Sequence, residues 1–114
     1  MSGKGKRRRR EKAATEIYVD DEGNRLELRR SLSAATIASL DAAPARAADS
    51  AEDAWQRREE MLFERLAVSW EIAGLPITEQ QMLLGRYRMA SSEERDWVRA
   101  TIDEHLRRFI PEAL

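Results

Sequence analysis

At 114 residues with no cysteine, the chain has room for one domain with a modest core, and it excludes disulfides, a thiolate nucleophile and cysteine-based metal sites. Its net charge of −1 conceals two opposed parts: residues 1–12 carry seven Lys/Arg and one Glu, a net of +6, and the remainder carries 13 Arg against 20 Asp/Glu, a net of −7. No apolar run approaches the roughly 20 residues that span a bilayer, and no apolar stretch follows the basic N-terminus as a secretory signal requires, so a cytoplasmic location and no membrane partner are expected.

Residues 1–14 contain no large apolar side chain after Met1, so they cannot bury enough surface to offset chain entropy and are expected to be disordered. Their cations, Lys4, Lys6, Arg7, Arg8, Arg9, Arg10 and Lys12, are the candidate nucleic-acid-binding residues. Such a run neutralises several phosphates and binds RNA or DNA without reading sequence.

Residues 16–29 predict a β-hairpin. Ile17 and Val19 alternate with polar neighbours, as do Leu26 and Leu28, and Asp20, Asp21, Glu22, Gly23 and Asn24 between them are turn formers. Matching the apolar faces pairs Val19 with Leu26 and Ile17 with Leu28. Residues 31–43 predict a short helix with Ser33 as its cap, ended by Pro44 and followed by a linker over 45–48.

The spacing predicts the longest helix over residues 49–73, capped by Asp49 or Ser50 and ended by Gly74 and Pro76. On a helical wheel Trp55, Leu62, Phe63, Leu66, Trp70 and Ala73 share one face, which is the expected core stripe. Ala54, Met61, Val68 and Ile72 form a second stripe roughly opposite, flanked by Arg58 and Arg65. Two apolar faces imply that the helix is sandwiched. The hairpin's apolar face is the expected cover, with a homodimer or another protein as the alternative, which makes Met61, Arg65, Val68 and Ile72 the candidate partner-binding residues.

Thr78 and Gln81 have the spacing of a capping box, and Ile77 and Met82 that of a hydrophobic staple, so a helix is predicted over 78–90 with Leu83, Leu84 and Tyr87 buried. Gly85 inside it suggests close packing against a neighbour. Ser91 and Ser92 are caps for a last helix over 93–109, whose Trp97, Val98, Thr101, Ile102, His105, Leu106 and Phe109 form a broad buried face stopped by Pro111. The fold class that follows is α+β and mainly α: a disordered basic tail over 1–14, a β-hairpin, short helix and linker over 15–48, and a three-helix bundle over 49–114.

Catalytic signals are sparse. His105, the sole histidine, has Thr101, Ile102, Arg108 and Phe109 at the helical neighbour positions, so no second metal ligand accompanies it. It reads as a core residue. The carboxylates alternate with arginines along helix faces, as solvated charges do. No phosphate-binding glycine loop is present. The last two helices have a helix-turn-helix layout, but the leading residues of the second include Glu93, Glu94 and Asp96, which a polyanion repels. The expected function is therefore that of a small non-enzymatic protein-interaction (adaptor or accessory) protein with no cofactor. The alternative is a nucleic-acid-associated protein tethered by its basic tail.

Overall fold

The computed structural model describes residues 14–42 and 51–114. The tail over 1–13 and the linker and helix caps over 43–50 lie outside the described residues. The order of elements is β1 (Thr15–Val19), β2 (Arg25–Arg29), α1 (Ala34–Ala42), α2 (Ala51–Leu66), β3 (Ala67–Ile72), β4 (Leu75–Ile77), α3 (Gln80–Arg88), α4 (Ser92–Phe109) and a closing 3-10 turn, Pro111–Ala113. The mixed α+β class holds. The hairpin-plus-bundle division does not, because a second hairpin interrupts the helical half and joins the first in one antiparallel sheet of order β1-β2-β3-β4.

The correction begins at Leu66. The helix expected to run to residue 73 stops there, and the chain continues directly as β3. Leu66, Trp70 and Ala73 fit a helical stripe, but Val68, Trp70 and Ile72 also alternate with Ser69 and Glu71 at period two. Val68, Ile72 and Trp70 favour the pleated surface. Tertiary pairing decides, since β2 would otherwise bury backbone groups without partners. Leu26 lies opposite Trp70, and an extra residue, Val68, bulges where the register shifts between Glu27 and Leu28. Gly74 does adopt positive φ, as a helix terminator would, but it does so with Ala73 (φ 79° and 53°) in a two-residue turn between Ile72 and Leu75. Two successive positive φ values are the hairpin geometry that matches sheet twist. Pro76 then sits in edge strand β4, where a missing N–H is tolerated.

The first hairpin forms, one residue away from the expected register. Tyr18 pairs with Leu26 and Glu16 with Leu28, while Ile17 faces Glu27 and Val19 faces Arg25 on the outer side. The turn sets this parity. Gly23 N–H donates to the Asp20 carbonyl, Asp20 N–H donates to Asn24, and Gly23 has φ 86°, a tight turn followed by a left-handed residue. The Asp20 carboxylate accepts from the N–H groups of Glu22 and Asn24 and locks the loop. Ile17 and Val19 are therefore more than half exposed, and the even-numbered side chains face inward.

The core lies between the inner face of the sheet and the helices. Leu26, Leu28 and Trp70 meet Leu62, Phe63 and Leu66 of α2, Leu83 and Tyr87 of α3, and Val98, Ile102 and Leu106 of α4. Phe63 stacks on Tyr87 at 4.7 Å and meets Trp70 edge-on at 5.6 Å. Trp97 and Phe109 pack at the margin. Trp55, expected in the core, is 48% exposed under the Arg99 guanidinium. At the start of α3 the expected capping box is absent: the helix begins at Gln80, Glu79 provides no side-chain cap, and Ile77 belongs to β4. Ser91 does cap α4, in a reciprocal box with Glu94. Ser33 caps α1 by accepting from Thr36 N–H. Open space surrounds Gly85, so close packing does not account for it.

Candidate functional site

His105 is the residue to test first for chemistry. Its side chain is fully buried, and both ring nitrogens are engaged. Nε2 lies 2.7 Å from the Arg29 carbonyl, which can only accept, so Nε2 carries the proton. Nδ1 is then free to accept from the Tyr18 hydroxyl at 2.7 Å. Desolvation pushes the imidazole below its ordinary pKa, which keeps it neutral. The Tyr18 and Phe109 rings close around it. Glu16 bonds Arg30 at 2.7 Å beside this cluster, and that cation holds its carboxyl below the usual range. A neutral, enclosed imidazole with both nitrogens satisfied fastens the first hairpin to α4 and presents nothing to a substrate. Among the described residues, no group of three or more His, Asp or Glu side chains is placed to hold a metal.

The other candidate is a surface. Among the described residues, an open groove of about 580 Å³ runs between α1, α2 and α3. Leu40, Ala54, Trp55, Met61 and Leu84 provide its apolar lining, and Arg57, Arg58, Arg65 and Arg88 stand around it with Glu60 and Glu64. Glu60 is committed to Arg88 at 3.0 Å, and Arg58 donates to the Ala113 carbonyl. Among the described lining residues the arginines outnumber the carboxylates, although the chain outside its tail is acidic.

This groove divides the expected partner-binding set. Met61 and Arg65 remain on α2 and line it. Val68 and Ile72 do not, because β3 carries them away: Val68 lies at the bulge, and Ile72 packs against the core opposite Leu75. The hairpin does not cover the Ala54 and Met61 side of α2. Leu26 and Leu28 enter the main core, and Ile17 and Val19 point outward. Nothing local in the sequence marks Leu40, Leu84 and Arg88 as lining the same groove as Met61, since their approach depends on how α1 and α3 dock. The basic residues Lys4, Lys6, Arg7, Arg8, Arg9, Arg10 and Lys12 lie outside the described residues. No helix among the described residues is long and apolar enough to cross a membrane.

No protein-family model, curated protein or solved structure matches the chain.

Proposed function

We propose that this protein is a non-enzymatic interaction module that seats an acidic, apolar-faced segment of another protein in the groove between α1, α2 and α3. The observation that carries this reading is the arginine-dominated margin around Leu40, Ala54, Met61 and Leu84. An apolar floor supplies affinity through burial, and a cationic rim selects and steers an anionic partner. The enclosed, neutral His105 supports a binding role over a catalytic one.

The test compares partners captured by the wild type, Met61→Asp and Arg65→Glu, each shown to be folded by circular dichroism. Both side chains line the groove, so both changes should abolish capture of the same proteins, and fragments of those proteins should bind through an acidic segment with salt-weakened affinity. Unchanged capture by both folded variants would remove the groove from the function.

The basic tail supports a second reading, nucleic-acid association. The residues concerned are a dense cationic run without aromatic side chains. Affinity for RNA or DNA should then fall steeply with salt, ignore sequence and vanish on deletion of residues 6–10. Binding that survives the deletion would move the contact to the body, where Glu93 and Glu94 oppose it.

A further inference from the structure

We propose that β1 pairs with β1 of a second copy of this chain, making a continuous sheet across a two-fold axis at Ile17. β1 is the edge of the sheet, and among the described residues no strand lies on its free side. Hydrogen bonds from Arg30 N–H to the Ala14 carbonyl and from Asp20 N–H to the Asn24 carbonyl fix which residues face β2. By the two-residue alternation of an antiparallel ladder, Ala14, Glu16, Tyr18 and Asp20 spend their backbone groups on β2. Thr15, Ile17 and Val19 therefore aim theirs at the open edge.

These three residues are also the β-branched ones, and they share the outer face, with Ile17 53% and Val19 56% exposed. A two-fold centred on Ile17 is self-complementary. Ile17 pairs with the partner's Ile17, and Thr15 pairs with the partner's Val19. Each couple exchanges two N–H···O bonds, and no charge meets a like charge on that face. Of the devices that blunt an edge, the strand has one, the inward-facing charge of Glu16, and Arg30 and Arg108 neutralise it. It contains no proline and no lysine, and its single charge, Glu16, lies on the other face, bound to Arg30.

Charge favours a second copy over an unrelated strand. With Thr15 beside the partner's Val19, the chain preceding Thr15 arrives next to the partner's turn. Those preceding residues carry the net +6 of residues 1–12. The turn carries Asp20, Asp21 and Glu22, and the same hollow is lined by Glu93, Glu94 and Trp97. The two charge-bearing parts of the chain are therefore complementary between copies, and the salt dependence of the pairing reads that complementarity. A contact of this size belongs with weak, reversible associations.

Sedimentation of the full chain over a concentration series, at low and high salt, tests the pairing. The wild type should dimerise reversibly, with a dissociation constant that rises steeply with salt. Ile17→Pro removes an N–H that faces only the open edge, and Ile17→Lys sets two cations across the axis. Both should sediment as monomers with unchanged circular dichroism. Deleting residues 2–12 should raise the dissociation constant at least tenfold at low salt and flatten its salt dependence. A wild type that stays monomeric at the concentration of an NMR sample would overturn the proposal, as would a dimer that survives both folded Ile17 variants. An unchanged dissociation constant after the deletion would overturn the electrostatic part. A dimer dissociated by Met61→Asp but not by Ile17→Pro would place the second copy in the groove. The edge and the groove are different surfaces, so either reading can fail alone.

Discussion

The Tyr18 hydroxyl lies 2.7 Å from His105 Nδ1, joining β1 to the middle of α4 across 87 positions of sequence. The bond depends on the imidazole being neutral, and burial keeps it so. Phe at position 18 would leave Nδ1 buried without a donor, so Tyr18→Phe should cost about 1–3 kcal/mol in denaturant unfolding.

The same pair predicts a pH dependence. The folded pKa of His105 lies below its unfolded value of 6.5. In the interval between the two values the unfolded chain binds a proton that the folded chain refuses. The stabilising contribution is therefore complete above 6.5 and is lost as pH falls through that interval toward the folded value. Glu16 opposes the shift, and Arg108 and Arg30 reinforce it. Unfolding midpoints measured from about pH 7 to about pH 5 should decline in the wild type and stay flatter in His105→Gln. Glu16 and Glu94, whose values are lowered by Arg30 and Arg86, act below 4.5, and Glu59, raised above 4.5, acts with the opposite sign in both proteins, so the difference between the wild type and His105→Gln is the quantity that isolates the imidazole.

Ala73 occupies a left-handed backbone position, φ 53°, beside Gly74. An L side chain with a Cβ is disfavoured there, whereas Asn is tolerated and Asn-Gly suits a turn with two positive φ values. Ala73→Asn should raise stability by about 1 kcal/mol, seen as a higher melting temperature with an unchanged spectrum. No gain would mean that the turn relaxes in solution.

Half-buried Glu59 is held above the usual carboxylate range by desolvation, with Asp103 adding to the effect, and its buried Oε1 has no hydrogen-bond partner among the described residues. A raised carboxyl opposes folding at pH values above its ordinary 4.5. Glu59→Gln should accordingly melt higher than the wild type at neutral pH, with the difference fading as pH falls toward 4.5. A lower melting point at neutral pH would show that Arg58 and Arg99 outweigh the desolvation.

The expected core was mostly legible, because burial follows apolar periodicity wherever the element type is read correctly. Leu62, Leu66, Leu83, Tyr87, Ile102 and Leu106 are all buried. Trp70 is buried too, but from a strand, where helical and strand periods place it inside equally well. Trp55 shows the limit of a wheel, since the first turns of a helix can overhang the core. Leu66→Ala should therefore cost about 2–5 kcal/mol, and Trp55→Ala far less, in parallel melts.

The register of the first hairpin was also written in the sequence, though not in its apolar face. Asp20 at the start of a turn and Gly23 three positions later specify a tight turn with a left-handed residue. That turn fixes parity and brings Tyr18 inward. The aliphatic pair Ile17 and Val19 was the louder signal and the wrong one. The α2 side of the groove could be seen in Ala54, Met61, Arg58 and Arg65. Leu40 and Leu84 come from other helices, and nothing local in the sequence states how those helices dock.

The join between β2 and β3 has a kinetic meaning. Each hairpin closes locally, β1 on β2 and β3 on β4, and such pairs form within microseconds. The seam from Leu26 to Trp70 and from Leu28 to Ala67 must instead gather in a long stretch of chain that includes α1 and α2. Its closure entropy is spent before most of its contacts exist. The sheet is therefore two local halves joined by one long-range weld, and Leu28→Ala at the weld should slow refolding more than a substitution in either turn does, as read in refolding kinetics.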